Sequence, residues 1–527
     1  MRIYFHFNLQ RQSLLVHEVA RHLQTTRGWR DFAGIVVVKE GRHYDFLRQQ
    51  RDVAYQYLDS VEEIEETALD HRVSAVDLET WEKRLDRPLW HLVVADRNIG
   101  RMYVKGGRIL HTDFGKVATQ DNIGRLLCAY LDFYKERLEA FRPDAVFFTS
   151  CAAMHSLALV EVCQWMGIPF FTLRHTRVLD RYTVTHNDAT ERFRAVERRL
   201  EELLAEPEQA RPSEAALRYY ESFQEGLPES PGYMLTLNQA QRKMRRKSPF
   251  RFWGGIGYRL AQAAARWVRC QDPARRDLRF SSPLEEWWLE TQRIMGVRYP
   301  RTPGAEPSRI GEERYVYYPL HLNPEASTMI LAPNFVDQLS VIEALAKNLP
   351  FTHKLYVKEH PSMLGRRPRG FYTAIKKYPN VRLLSSAENS LRLTRNADLV
   401  AVITGTAGWE GILMGKPVIT FGQAFYTPLG FSERCSDLSK LGLQIRRLIF
   451  EPKESADRER VMLFLTALFE RSFPLSTYIV WRELLQPGEL SDEDLETAGT
   501  IADQLAMTIE EVMAERPELP PSRGVHA

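Results

Sequence analysis

The stretch Ile403-Thr-Gly-Thr-Ala-Gly-Trp-Glu-Gly-Ile-Leu-Met-Gly-Lys-Pro-Val-Ile-Thr-Phe-Gly422 decides the fold class of this 527-residue chain. It predicts a buried strand that ends at Ile403, a Gly/Thr turn, a helix that begins near Ala407 and a further strand over Val418–Phe421. Glycines let backbone N–H groups approach an anion, and the amino end of a helix carries partial positive charge. The pattern therefore predicts a phosphate-binding turn at the carboxyl edge of a parallel sheet.

Five residues of this turn are candidate nucleotide ligands. Thr404 and Thr406 offer hydroxyls, Gly405 and Gly408 offer close backbone approach, and Glu410 lies one helical turn further on, where its carboxylate can accept two hydrogen bonds from a diol such as ribose. A charged residue in so apolar a segment needs a partner. The alternative is a tight strand–helix turn whose glycines serve packing and whose Glu410 is a solvated helix residue.

Strands and helices alternate on both sides of the central stretch, which favours parallel sheets because parallel strands need helix-length connections. In the second half, nearly continuous apolar strands indicate a sheet buried on both faces. The predicted strands are Arg2–Phe7, Gly34–Val38, Leu92–Val94, Ala145–Phe148 and Pro169–Leu173, then Tyr315–Pro319, Lys354–Lys358, Val381–Leu384, Leu399–Ile403 and Val418–Phe421. Two clear amphipathic helices are expected, one from Ile123 to Phe141 and one capped by Asn334.

These elements predict an α/β chain with two Rossmann-like domains facing a cleft, which is the GT-B arrangement of many nucleotide-sugar enzymes. Strand signals are scarce between the two series, so a helical insert is expected there, and the chain again looks helical after the second series. The predicted units are 1–188, the insert 189–305, the nucleotide-binding domain 306–440, C-terminal helices over 441–515 and a disordered tail over 516–527.

A second motif, Lys354-Leu-Tyr-Val-Lys-Glu-His-Pro361, runs a strand into His360-Pro361. Proline ends the strand, which places His360 at the same sheet edge as the Gly/Thr turn. An imidazole there can bond a phosphate or assist its departure, and Arg366 and Arg367 can add positive charge. The alternative is a histidine that only makes structural hydrogen bonds.

A third motif, Tyr317-Tyr-Pro-Leu-His-Leu-Asn-Pro-Glu-Ala-Ser-Thr328, also follows a strand and brings His321 and Glu325 toward the predicted cleft. We expect His321 to lie on the acceptor side of that cleft. Glu325 is a candidate general base or a ligand of an acceptor hydroxyl. An ordinary loop that caps Thr328 explains the same residues equally well.

Taken in order, the motifs Pro319-Leu-His-x-x-Pro-Glu325, Val357-Lys-Glu-His-Pro361 and Thr404-Gly-Thr-Ala-Gly-Trp-Glu-Gly411 resemble the bacterial capsular polysaccharide biosynthesis family, which includes Kdo transferases. The resemblance covers about a quarter of the chain. It implies a GT-B fold with the nucleotide in the C-terminal domain. In bacterial sialyltransferases a similar His-Pro faces the phosphate of a CMP-sugar. In many GT-B enzymes a glutamate five residues before Gly-x-Pro, the position of Glu410, binds the ribose.

The first half of the chain has no such resemblance. The resemblance therefore does not imply which acceptor is used, which residue is the catalytic base or whether the sugar configuration is retained or inverted. Two polar loops that follow strands are candidates for the acceptor side. One is Asn8–Gln12 with Arg11, and the other holds Arg174, His175 and Arg177. A surface-exposed basic loop is the alternative for the latter.

Composition excludes several classes. The net charge is +3, from 71 Lys and Arg against 68 Asp and Glu, which argues against a dedicated nucleic-acid binder. Five cysteines without a C-x-x-C pair favour reduced thiols and a cytoplasmic location. No apolar run has the length of a membrane span. The motif regions lack D-x-D and H-E-x-x-H, so no metal is expected, and the nucleotide sugar is a substrate rather than a cofactor.

The segment 242–253 mixes a basic cluster, Arg242–Lys247, with the aromatic run Phe250–Trp253. This combination suits contact with an anionic membrane surface, and a solvated linker is the alternative.

The sequence therefore predicts a cytoplasmic, membrane-associated glycosyltransferase. We expect it to move a CMP-activated acid sugar such as Kdo to a glycan or lipid-linked acceptor. His360 would stabilise the leaving phosphate and Glu325 would act as acid or base. The alternatives are a polyol-phosphate transferase, a nucleotide-sugar 2-epimerase and a non-catalytic protein of glycan binding or capsule-export assembly.

Overall fold

The computed structural model describes residues 1–7, 10–37, 42–107, 118–188, 190–206, 208–226, 248–269, 283–299, 301–451, 458–475 and 490–515. Two separate sheets organise them. The expected α/β architecture with two parallel-dominated sheets is confirmed. No helix in these ranges combines the length and the apolar character needed to cross a bilayer.

The first sheet has seven strands in the order β13-β6-β5-β4-β1-β2-β3. Its strands are β1 Arg2–Phe7, β2 Asp31–Val36, β3 Tyr55–Ser60, β4 Ala145–Phe148, β5 Phe170–His175, β6 Arg181–His186 and β13 Phe473–Pro474. The strands β1 to β5 pair in parallel, whereas β6 is antiparallel to both β5 and β13. A strand in a sheet that is covered on both faces needs apolar residues on both sides. In β1 these are Ile3, Tyr4, Phe5 and Phe7.

Helices cover both faces of the first sheet. One face carries Val61–Ala68, Ala75–Leu85, Trp90–Ala95, Gln120–Phe141 and Met154–Met166. The other carries Gln10–Arg27, Arg42–Gln49 and, from the far end of the chain, Asp492–Ala514. A short 3-10 helix, Ile99–Tyr103, leads from the first group toward the second sheet.

The second sheet is wholly parallel, with the order β12-β11-β10-β7-β8-β9. Its strands are β7 Arg314–Pro319, β8 His353–Lys358, β9 Val381–Leu384, β10 Leu399–Val402, β11 Val418–Thr420 and β12 Glu433–Arg434. The connecting helices are Ala326–Met329, Gln338–Asn348, Phe371–Lys376, Ser390–Asn396, Thr406–Leu413 and Leu441–Phe450. Short 3-10 turns lie at Pro333–Phe335, Pro361–Met363 and Leu438–Lys440.

The predicted insert is helical where it is described, with Arg194–Ala205, Glu214–Gln224, Pro249–Arg269 and Pro283–Arg298. The first two pack with Arg458–Glu470 in the core on one face of the second sheet. The segment 441–515, predicted as one set of C-terminal helices, is divided between the two sheets. Leu441 and Ile445 enter the core of the second sheet, whereas Ile501 and Leu505 enter that of the first.

Two local predictions are wrong, and some strands were not expected, for physical reasons. Leu92–Val94 is part of the helix Trp90–Ala95, because three apolar residues cannot distinguish a strand from a buried helical turn. The strands β3 and β6 were not expected, since polar residues interrupt both. Asn334 lies in a 3-10 turn, and the helix that follows is capped instead by Asp337, whose side chain accepts a hydrogen bond from the Leu339 N–H.

Candidate nucleotide-binding site

The Gly/Thr turn follows β10 as predicted, and the helix Thr406–Leu413 begins one residue earlier than expected. Gly405 is its N-cap and supplies no side chain, so the first-turn N–H groups of the helix have no side-chain cap. The Thr406 hydroxyl is exposed and makes no hydrogen bond within the described ranges. This helix end therefore offers both N–H groups and a hydroxyl to an anion.

Thr404 is used differently from what the sequence suggested. Its side chain is buried, and its hydroxyl donates a hydrogen bond to the Ser327 carbonyl at 2.8 Å. Its N–H donates to Nε2 of His321 at 3.3 Å. Both groups hold the third motif against the turn, so Thr404 positions the turn rather than presenting a free hydroxyl.

Gly408 is required for packing. A Cβ at this position would lie 2.2 Å from Oη of Tyr426 and 2.9 Å from the Val402 side chain. Tyr426 is fully buried and donates a hydrogen bond to the Gly405 carbonyl at 2.8 Å. Gly408 therefore serves packing, as the alternative interpretation of this turn has it. Gly405 lies at the turn itself, where a Cβ would come within 3.0 Å of His321.

Glu410 lies half-buried in the first turns of the helix and faces a lysine that sequence reasoning missed. Burial raises the pKa of Glu410 to about 7, and the positive charge of Lys358 opposes this shift. Lys358 ends β8 and is only 6% exposed. Burial lowers the pKa of Lys358, against the attraction of Glu359, Glu410 and Glu388. From the sequence alone, a lysine at the end of a strand is expected to lie in solvent. The carboxylates near Lys358 become visible only in the folded structure.

His360 follows β8 at the same sheet edge. Its Nδ1 accepts a hydrogen bond from the Ser362 N–H at 3.2 Å, which leaves the ring proton on Nε2. Burial lowers the pKa of His360 to about 4, opposed by Glu359 and reinforced by Arg367 and Lys358. The imidazole is therefore neutral at pH 7, with Nε2–H as a donor. Pro361 begins the 3-10 turn that fixes this geometry.

The third motif meets the Gly/Thr turn through His321. The sequence placed this histidine on the acceptor side, but it is buried under the turn with its Nε2 bonded to Thr404. Burial lowers its pKa to about 3, with a further contribution from His360. Glu325 is half-buried beside it, and its Oε2 accepts a hydrogen bond from the Ser327 hydroxyl at 2.6 Å.

The two arginines after His360 have separate roles. Arg367 and Glu359 form a buried ion pair at 2.8 Å, and Arg367 also donates to the His321 carbonyl at 2.9 Å. Arg366 is exposed and faces Arg101 from the first half, whose pKa is lowered by burial and by the charge of Arg366.

Two cavities lie between the halves. The first, of about 60 Å³, is lined by Arg101 and Val104 on one side and by Asn323, Pro324 and Arg366 on the other. The second has about 230 Å³. It contains the buried carboxylate Glu161, bonded to His91 at 3.1 Å and to Arg87 at 3.2 Å, opposite Met329 and Ile330. The sequence did not single out Glu161, because its partners His91 and Arg87 lie 70 and 74 residues away in the chain and only the fold brings them to this buried helix.

The predicted acceptor-side residues are only partly brought to the site. His175 is bonded through Nδ1 to the Arg177 N–H at 2.9 Å, and burial lowers its pKa to about 3. Arg174 precedes it at the end of β5. Arg177 pairs with Glu191 at 2.5 Å. Burial raises the pKa of Tyr426, and the charge of Glu191 adds to this shift, so the loop approaches the tyrosine that bonds the Gly/Thr turn.

Arg11 lies in the helix Gln10–Arg27, and its side chain falls outside the described residues, as do Asn8 and the cluster 242–247. Within the described ranges, no three His, Cys, Asp or Glu side chains are grouped as a metal would require.

Three motifs thus converge where β7, β8 and β10 end, and comparison with known proteins covers the same segment. Residues 309–444 match the family described as capsule polysaccharide biosynthesis protein. This capsule-family segment contains the whole second sheet and all three motifs, so the resemblance predicted from the sequence is confirmed.

The chain is also similar to single proteins. Over 118 residues, 22% of its length, this chain is 31% identical to capsule polysaccharide modification protein LipA of Neisseria meningitidis serogroup B. The match covers only 16% of the length of LipA.

Two solved structures are similar over much of the chain at low identity. A Thermosulfurimonas dismutans KpsC, a beta Kdo 2,7 transferase, is 13% identical over 71% of this chain and 88% of its own, with a TM-score of 0.31. UDP-GlcNAc 2-epimerase from Neisseria meningitidis, bound to UDP-GlcNAc, is 12% identical over 89% of this chain and 98% of its own, with a TM-score of 0.23.

Proposed function

We propose that this protein is a GT-B-type glycosyltransferase of capsular or surface polysaccharide biosynthesis. It transfers a sugar from a nucleotide donor, a CMP-activated acid sugar such as Kdo, to a glycan or lipid-linked acceptor at the cytoplasmic side of the membrane. The observation that carries the proposal is the convergence of an uncapped helix end, Lys358, His360 and Glu410 at one sheet edge. The match of residues 309–444 to the capsule family supports it.

The donor phosphate binds at the amino end of the helix Thr406–Leu413. Backbone N–H groups and the Thr406 hydroxyl donate hydrogen bonds to it, and Lys358 supplies a full positive charge. His360 donates from its neutral Nε2–H. These groups stabilise the charge that develops on the leaving phosphate as the bond to the sugar breaks.

The ribose of the donor is held by Glu410. Both hydroxyls of a vicinal diol donate to one carboxylate, which favours the ionised form of Glu410 over the protonated form. Nucleotide affinity should therefore rise as the pH increases through about 7, which is the pKa of Glu410 in the protein without nucleotide.

Transfer requires a base for the acceptor hydroxyl. We assign this role to Glu325, which accepts the proton as the acceptor oxygen bonds the sugar carbon and the phosphate departs. Its carboxylate is oriented by Ser327, and the same loop lines the cavity opposite Arg101. Arg366 and Arg101 line the same cavity and give it a positive charge that suits an acidic sugar or acceptor.

A thermal-shift panel with CMP, UDP, GDP and ADP at millimolar concentration tests the donor class. We expect CMP alone to stabilise the protein, by about 2.7 kcal/mol at 100 times its dissociation constant. Lys358→Met and Glu410→Ala should abolish the shift. Lys354→Met is the matched control, because Lys354 lies at the opposite end of β8, where it bonds the Pro379 carbonyl.

A shift with UDP instead of CMP would retain a nucleotide-sugar enzyme and reject the Kdo-like donor. Turnover of a UDP-sugar without acceptor would identify an epimerase. No shift with any nucleotide would contradict the transferase and favour the glycan-binding or export-assembly alternative.

A further inference from the structure

The helix Pro249–Arg269 buries very little of its own surface. It packs on the helix Pro283–Arg298 through Phe252 and Ile256, and Trp287 donates a hydrogen bond to the Ile256 carbonyl at 3.2 Å. Most of its other described side chains are exposed. The exposed fractions include 90% for Phe250, 52% for Trp253, 39% for Leu260 and 64% for Val268.

These exposed apolar residues share one side of the helix. We call Phe250, Trp253, Leu260 and Val268 the apolar stripe, since their spacing of three, seven and eight residues keeps them on one face. A Cβ built on Gly254 or Gly257, on the same face, would meet nothing within 4 Å. Large apolar side chains left in water on one helix face are typical of a binding surface.

Charge selects among the partners that could cover the stripe. From 242 to 269 the sequence has nine Lys and Arg and no Asp or Glu. Arg251 is exposed beside the stripe, and Arg259 is half-exposed next to Glu290. A second copy of this chain would bring two such basic segments together, whereas an anionic surface complements them.

The stripe is connected to the candidate site. The helix Pro283–Arg298 packs so closely on the loop after His360 that a Cβ at Gly296 would lie 2.2 Å from the Leu364 carbonyl oxygen. Glu290 contacts Arg259 on one side and Arg293 on the other, and Arg293 influences the pKa of Arg366. A surface bound at the stripe therefore lies near the cavity that contains Arg366.

We propose that the apolar stripe and its flanking arginines bind the surface of an anionic phospholipid bilayer, with the helix lying in the headgroup plane. Phe250 and Trp253 insert below the headgroups, and the basic residues contact the lipid phosphates. This binding is independent of the donor and stands whatever nucleotide the protein uses.

Co-sedimentation of the full-length protein with vesicles tests the proposal. We expect binding to phosphatidylcholine vesicles that contain about 30% phosphatidylglycerol, weaker binding to pure phosphatidylcholine, and loss of binding at high salt. The double substitution F250S/W253S should lower the vesicle affinity at least tenfold. The control F351S removes a fully exposed phenylalanine elsewhere and should bind like the wild type.

The double variant must keep its melting temperature and any nucleotide-induced shift, which separates this proposal from the function of the donor site. Equal binding to neutral and anionic vesicles would overturn the role of charge. Absence of vesicle binding would overturn the proposal. In that case a concentration-dependent dimer that is lost in F250S/W253S would identify a second copy of the chain as the partner of the stripe. A protein that stays monomeric would indicate that another protein or another segment of this chain covers the stripe.

Discussion

Glu410 and Lys358 are buried to different degrees, and each favours the charged form of the other. The folded pKa of Glu410, about 7, lies above its ordinary value of 4.5. Its carboxyl therefore contributes stability that is present below pH 4.5 and is lost as the pH rises through 7. In the folded protein the ionised carboxylate is therefore an unfavourable group, and the ribose-binding role that we propose for it would explain why it is there.

Replacing Glu410 by Gln should therefore stabilise the nucleotide-free protein at pH 8 by about 2 kcal/mol, allowing for partial solvent access, and should change little at pH 4.5. Urea unfolding at the two pH values measures this difference. Glu312→Gln, at an exposed position, is the control and should show no such pH dependence. Equal stability of Glu410→Gln and wild type at pH 8 would contradict the raised pKa.

His360 provides a second prediction for a single residue. Because Nδ1 is bonded to Ser362 and Nε2 carries the proton, a glutamine can replace the donor, since its amide nitrogen reaches a similar position. We expect His360→Ala to lower the transfer rate about 100-fold and His360→Gln about 10-fold. At saturating donor, where the ionisation of Glu410 no longer limits binding, the pH–rate profile should show no fall above pH 6.5. Equal loss in both variants, with a wild-type rate that falls above pH 6.5, would instead indicate a protonated imidazole.

At the scale of elements, the contact of the helix Thr406–Leu413 with Tyr426 fixes the turn. Gly408→Ala places a methyl against the Tyr426 ring and should destabilise the protein by about 2 kcal/mol. Tyr426→Phe removes the nearest atom, so the double variant should recover part of that loss in a double-mutant cycle. Thermal unfolding checks both. Strict additivity would show that the two residues are not in conflict.

The sequence predicted five of the six strands of the second sheet to within a residue or two, because each of these five is a largely apolar run with a clear stop. It missed β12, which has only the two charged residues Glu433 and Arg434. It also predicted that the three motif loops meet, since parallel strands end at one edge. It did not predict what Thr404 bonds, because Ser327 is 77 residues away. Lys358 was missed for the same reason: its role depends on Glu410, which only the fold brings near.

At the scale of the whole molecule, the last described helix, Asp492–Ala514, completes the first sheet. It packs on the helix Gln10–Arg27 through a row of buried residues, with a polar border at His22–Asp503 and Arg27–Glu510. The two ends of the described chain are therefore joined in one core.

Ala502→Arg tests the contribution of this contact. Ala502 is fully buried, so an arginine there has no water and no room, and we expect a loss of at least about 3 kcal/mol in urea unfolding. Met507→Arg, on the exposed side of the same helix, should cost less than about 0.5 kcal/mol. Similar stability of the two variants would mean that this helix is dispensable.

The core on one face of the second sheet has a consequence for how the chain relates to its relatives. Residues 309–444 match the capsule polysaccharide biosynthesis family, yet Phe193, Tyr219 and Phe464, from outside that range, fill the same core as Trp409. The limits of the matched segment are therefore not the limits of the core that it helps to form. Transplanted alone between relatives, this segment would keep the core on the other face of its sheet and leave behind about half of the residues that fill this one.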